Sequence, residues 1–318
     1  MLEINNISKN FGQKKAVSDL SFKVRKGDIL GFIGPNGAGK STTMRIITGF
    51  IPPDSGNVSI AGHDIETEPK AAKQHIGYLP ENAPLYYSKT VLEFLSFIAE
   101  IRGFSGREKK RKVAEVLQRC FLEPVKNQVI DTLSKGYRHR TCFAQAILHD
   151  PDILILDEPT DGLDPNQKRE MRNLIKSMGQ NKAIILSTHI LEEVEAVTNR
   201  VLLIADGKKV YEGTPEDLKL NSLYAGSIIF SVSNADEKNL NDSLASLSLI
   251  REFDFLAKSE NNFTLRITHT AKKTEQLTAE LLEKAFSNSW QVKEIKVDSG
   301  ELESVFADLT LKKSGGVK

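Results

Sequence analysis

Between two apolar runs, the segment Gly34-Pro35-Asn36-Gly37-Ala38-Gly39-Lys40-Ser41-Thr42 brings together glycines, a lysine and two hydroxyl side chains. That mixture suits a polyphosphate, on which many donors must converge from close range. Gly34, Gly37 and Gly39 clear side chains from the path and permit unusual backbone angles. Consecutive backbone N–H groups then form an anion-binding nest. A following helix turns its positive end towards the phosphates. Lys40 reaches the β- and γ-phosphates, and Ser41 offers a hydroxyl to Mg2+. An ordinary glycine-rich turn would not need Lys40.

A second acid-bearing motif is Ile153-Leu154-Ile155-Leu156-Asp157-Glu158. Asp157 can hold Mg2+ at the carboxyl end of a strand, where ligands bind in open α/β sheets. Glu158 is placed to orient or deprotonate an attacking water. Two solvated acids at a strand end are the plain alternative, and they lose ground once a phosphate loop precedes them. A third group, Leu133-Ser134-Lys135-Gly136-Tyr137, lies just before this acid-bearing strand. Ser187-Thr188-His189 ends another apolar run.

These residues need a scaffold. Ile29 to Ile33 reads as a buried strand, and Thr43 to Phe50 has helical spacing. Ile153 to Leu156 and Ala183 to Ser187 are apolar on both faces, as in a parallel sheet covered on both sides. Leu2, Ile4 and Ile7 begin one strand, Leu20, Phe22 and Val24 alternate in another, and Val58 to Ile60 suggests a third. Thr90 and Glu93 form a capping box for a helix that includes Val91, Leu92, Phe94, Leu95 and Ile98. A second helix begins near Arg107 with Lys109, Lys110, Arg111 and Lys112; a solvated face is the first reading, and contact with a partner or an anionic membrane surface the other. Asp206-Gly207 between two runs predicts a hairpin. From Ser227 the order is strand, helix, strand, strand, helix, strand, helix, with Asn261-Asn262 at the central hairpin; its first six elements match a ferredoxin-like split βαβ. Trp290 belongs in that small core.

The 318 residues allow two domains, and 27% charged with 40% hydrophobic residues fits a globular protein. A net charge of +1 gives no electrostatic case for nucleic-acid binding, so none is expected. No apolar run is long enough to span a bilayer, and the N-terminal segment lacks a signal-peptide core. Cys120 and Cys142 form neither a disulfide framework nor a metal cluster and read as small, partly buried side chains.

With Gly34–Ser41 as a Walker A loop, Asp157 and Glu158 as Walker B, and Leu133–Tyr137 just before it, the sequence resembles the ATP-binding cassette family. That family's signature begins Leu-Ser-Gly-Gly-Gln; Lys135 and Tyr137 depart from it. The resemblance covers residues 1 to about 218 strongly and the rest weakly. It implies an α/β P-loop cassette with a mixed sheet core, an antiparallel β subdomain and a helical subdomain at about 85–150, followed by a small α+β accessory domain over 219–318. It implies that ATP is bound by Phe11, stacked on adenine, by Gly34, Pro35, Asn36, Gly37, Ala38, Gly39, Lys40, Ser41 and Thr42, and by Ser134, Gly136 and Asp164 facing a second cassette. Mg2+ falls to Ser41, Glu81 and Asp157, and catalysis to Glu158 and the switch histidine His189. Glu81 replaces the family's usual glutamine.

The segment Leu79-Pro80-Glu81-Asn82-Ala83-Pro84-Leu85-Tyr86 and the ending from Leu302 to Thr310 are similar to the export branch, and within it to subunits of gliding-motility complexes. The implied protein is an ATPase subunit of an export transporter, cytoplasmic and peripheral at the inner face of the membrane. Its partners would be separate membrane-spanning permease subunits and a second cassette, identical or not. A soluble cassette ATPase acting on ribosomes or DNA, or a regulatory cassette, is the other class; the neutral charge argues against nucleic-acid partners, and Glu158 with His189 against a non-hydrolysing role.

Overall fold

The computed structural model describes residues 1–309 apart from 83, 223, 270–272, 301, 304, 307 and 308. Ala83 and parts of the 302–310 ending therefore lie outside the described residues. The chain forms two compact units, one of Met1–Pro215 joined by Leu309 and one that begins at Glu216.

The first unit opens with the strands β1 (Leu2–Phe11) and β2 (Lys14–Val24), then β3 (Ile29–Ile33) and α1 (Lys40–Ile47). There follow β4 (Ser55–Ile60), β5 (His63–Asp64), α2 (Pro69–Gln74) and β6 (Ile76–Leu79). Three helices, α3 (Val91–Ile101), α4 (Gly106–Arg119) and α5 (Lys135–Ile147), precede β7 (Ile153–Asp157). The rest is α6 (Pro165–Gly179), β8 (Ala183–Ser187), α7 (Leu191–Val197), β9 (Arg200–Ala205) and β10 (Lys208–Gly213). The short α8 (Pro215–Lys219) contains the boundary.

The central sheet has six strands in the order β10-β9-β3-β8-β7-β6. All neighbours are parallel except β9 and β10, which Asp206-Gly207 joins as an antiparallel hairpin. Both turn residues have positive φ, 50° and 73°, as a type I′ turn requires. Strand β7 shows why the apolar run is continuous. Leu154 and Leu156 enter the core shared with α3, α4 and α5, while Ile153 and Ile155 enter the core shared with α1 and the second sheet. That second sheet is antiparallel, β2-β1-β4-β5.

Several helix ends follow from local chemistry. Thr90 and Glu93 make the reciprocal capping box at the start of α3. Helix α1 starts at Lys40 and stops at Ile47, earlier at both ends than the Thr43 to Phe50 periodicity, because Gly49 follows with φ 67° and turns the chain out of the helix. On α4, Lys109 pairs with Glu100 at 2.6 Å and Lys112 lies over Phe104, so part of the basic run is used within the fold. Cys120 and Cys142 are free and fully buried rather than partly so, and burial pushes both thiols up to about 12.

The second unit contains β11 (Ile228–Ser233), α9 (Glu237–Ala245), β12 (Ile250–Ser259), β13 (Asn262–His269), α10 (Thr274–Ser287) and β14 (Gln291–Val297). Its sheet is antiparallel in the order β12-β13-β11-β14. The hairpin turn is Glu260-Asn261, one residue before the expected pair, because Asn262 already pairs with Ser259. Phe230, Leu244, Leu265, Leu281 and Trp290 share the core.

Candidate active site

The carboxyl ends of β3, β7 and β8 converge on a cleft of about 510 Å³. Phe11, Asn36, Gly37, Gly39, Lys40, Ser41, Thr42, Glu81, Asp157, Glu158 and His189 all line it, with Lys14, Ala16, Asp161 and Ser187. Residues from five separate stretches of sequence thus meet at one place.

The loop between β3 and α1 is shaped by its glycines in two ways. Gly37 and Gly39 have φ of 81° and 105°, the left-handed region that favours glycine. Gly34 has no such angle; a Cβ there would come within 2.3 Å of the Ile204 carbonyl oxygen, so close approach to β9 sets its identity. Lys40 Nζ donates to the carbonyls of Gly34 and Pro35 at 2.6 and 3.1 Å, which folds the side chain back over the loop. Burial lowers its pKa, and the negative charges of Glu158, Asp157 and Glu81 oppose that shift.

Asp157 ends β7 and is 6% exposed. Burial raises its pKa, the neighbouring Glu158 and Glu81 add to the rise, and Lys40 opposes it. A buried carboxylate beside two others, with the Ser41 hydroxyl in the same cleft, is a hard-oxygen donor set of the kind that suits Mg2+.

Glu158 has φ 50° and donates its N–H to the Ser187 carbonyl at 2.9 Å, which pins the end of β7 to β8. Its Oε1 lies 2.8 Å from His189 Nδ1, and its Oε2 lies 3.3 Å from Thr188 Oγ1. The Thr188 hydroxyl also reaches Glu193 Oε2 at 3.2 Å. Glu193 is 1% exposed; it accepts a short hydrogen bond from Thr160 and faces Arg172 at 3.8 Å and Lys168 at 4.0 Å. No sequence motif marks this buried carboxylate. Its signal was there: Glu193 falls with Val194 and Val197 on the apolar stripe of α7, where a charge needs partners.

Phe11 is half exposed at the rim, with its ring available to a flat ligand. Gly34, Pro35 and Ala38 belong to the phosphate loop without lining the cleft, and three further expected residues come from other elements. Ser134 caps α5, accepting from Tyr137 N at 3.4 Å. A Cβ on Gly136 would come within 2.6 Å of Gln167 Oε1, so it is held against α6. Asp164 caps α6 by accepting from Gln167 N at 2.9 Å.

The model of the ABC transporter family matches residues 17–161. The linearmycin resistance ATP-binding protein LnrL of Bacillus subtilis (strain 168) is 34% identical over 312 residues, 98% of each chain. This chain belongs to the ABC transporter family. The Nod factor export ATP-binding protein I of Burkholderia orbicola (strain AU 1054) is 34% identical over 248 residues, 78% of this chain and 81% of that one. A solved ATP-binding subunit of an ABC transporter superposes with a TM-score of 0.65 at 30% identity, covering 69% of this chain and 92% of the other. A dimeric ATP-binding cassette bound to ADP and Pi shares the fold, with a TM-score of 0.63 at 24% identity over 68% of this chain and 99% of that one. The chain is accordingly the ATP-binding, ATP-hydrolysing subunit of an ABC-type transporter. The names of these relatives lend no support to the gliding-motility likeness. Among the described residues no helix is long and apolar enough to cross a membrane.

Proposed function

We propose that this ABC ATPase drives export, working as one of two cassettes beneath separate membrane-spanning subunits at the inner face of the membrane. The names of the relatives, linearmycin resistance and Nod factor export, support the direction. Phe11 stacks on adenine, the Gly34–Thr42 loop and Lys40 hold the phosphates, and Ser41, Asp157 and Glu81 hold Mg2+. The metal neutralises charge on the β- and γ-phosphates when bound. Glu158 takes the proton of the attacking water, and His189 holds that carboxylate through its ring nitrogen and meets the γ-phosphate. Ser134, Gly136 and Asp164 serve the nucleotide of a partner cassette in a head-to-tail pair, so that ATP binding closes the pair and hydrolysis reopens it. The unit that begins at Glu216 is an accessory domain to this engine.

The observation that carries the reading is the 2.8 Å contact between Glu158 and His189 on a cleft that Lys40 also lines. The pairing is tested by mixing Lys40→Ala chains with Ser134→Arg chains. A shared site regains ATPase activity in the mixture, because one composite site is intact. A mixture no more active than either variant would count against sharing.

A further inference from the structure

Lys135 stands where the resembled signature has glycine, and it is not part of the cleft wall. Its Nζ lies 2.7 Å from Asp161 Oδ2, and Asp161 does line the cleft. The lysine stem covers the backbone at Gly162: a Cβ built there would come within 2.5 Å of Lys135 Cδ and 2.7 Å of Cε. Gly162 also has φ 71°, so glycine answers both the left-handed backbone and the stem laid across it. The N–H of Asp161 donates to the Glu158 carbonyl at 3.1 Å, closing a four-residue turn that begins at Glu158. One ion pair and one hydrogen-bonded turn therefore link Lys135 to Glu158.

Helix energetics do not explain a lysine at this position. Lys135 is the first residue of α5, whose first turn has no acid, and a cation there opposes the helix dipole. Its favourable partner is Asp161, whose carboxyl the lysine holds below the usual range. The two side chains are 63% and 50% exposed, and an exposed pair adds little to folding stability.

We propose that Lys135 is a positioning residue for ATP hydrolysis: by clamping Asp161 and Gly162 it fixes the turn that holds the Glu158 carboxylate at the cleft. This rests on Glu158 as the water-orienting group. A misplacement of 1 Å can cost about 10²-fold in rate, and loss of a clamp one turn away is a smaller disturbance.

The test uses the full chain and measures kcat, ATP dissociation constant and melting temperature for Lys135→Met, Lys135→Arg, Asp161→Asn and the Lys135→Met/Asp161→Asn double variant, with Glu158→Gln alongside. Lys135→Met lowers kcat about threefold with ATP affinity and melting temperature unchanged, within what an exposed ion pair can bias. Lys135→Arg restores most of the rate. The double variant is no slower than the slower single variant, as expected of two groups acting through one contact. Normal turnover by Lys135→Met, an equal loss of ATP affinity, or multiplied losses in the double variant would overturn the proposal. If Glu158→Gln keeps the parent rate, the reading of Glu158 fails instead, which is a separate result.

Discussion

Glu158 divides its two carboxylate oxygens between His189 and Thr188. Glu158→Gln keeps the shape and removes the base. Phosphate release is expected to fall at least ~10²-fold, the low end of what a general base supplies, while ATP still binds. A filter-binding assay beside a phosphate-release assay checks this, and turnover at the parent rate would contradict it. Glu81 is a second residue with a specific consequence, because its carboxylate lines the cleft with Asp157. Glu81→Gln is expected to hydrolyse ATP but to need more Mg2+ for half-maximal rate, since an amide attracts the cation less than a carboxylate. Superimposable curves of rate against free Mg2+ would remove Glu81 from the metal. The Walker residues were legible in the sequence because a phosphate takes its donors from one short contiguous stretch. Glu193 was not, because its partners come from positions 160, 168, 172 and 188, and only the fold brings them together.

At the scale of elements, the join between α5 and β6 contains a titrating group. His149 lies just after α5, and its Nε2 donates to the carbonyl of Ile76 at 2.9 Å, while its buried Nδ1 has no partner among the described residues. Burial pushes its pKa down to about 4, and the charge of Arg102 adds to the fall. The unfolded chain takes up a proton near pH 6.5, so between that value and about 4 the unfolded state binds more protons than the folded one. Stability is therefore full above pH 6.5 and is lost as pH falls towards about 4, by up to roughly 3 kcal/mol. Urea unfolding at pH 7 and pH 5 is expected to show a smaller loss for His149→Gln than for the parent; equal losses would assign the acid sensitivity elsewhere. The capping box is a simpler case: Thr90→Ala should cost about 1 kcal/mol by urea unfolding, because the Glu93 N–H loses its acceptor. Elements such as β3 and β8 matched their apolar runs residue for residue, since burial on both faces leaves no ambiguity about where they end. The ends of α1 did not, because periodicity reports which face is buried and not where the helix starts.

Across the whole molecule, every cleft residue falls between Phe11 and His189, within the first unit. A chain ending at Leu218 is expected to bind ATP with the affinity of the full chain, measured by calorimetry. Loss of binding in a truncated chain that still melts cooperatively would mean that the second unit completes the site. The two units differed in legibility for a physical reason. The first uses motifs that must be short and contiguous to do their chemistry. Among its described residues the second has an apolar core of 13 buried side chains and no chemical motif, so only its alternation of strand and helix signals could be read.

The backbone at Glu158 has a consequence for how this enzyme can be improved. A non-glycine residue at φ 50° gives up roughly 1–2 kcal/mol of conformational energy, which glycine would not. Glu158→Gly would thus tend to recover heat tolerance while abolishing turnover, and a selection for thermal robustness alone would be drawn towards a dead enzyme. Stability and catalysis compete for this one position, so any evolution experiment on the protein has to score both at once.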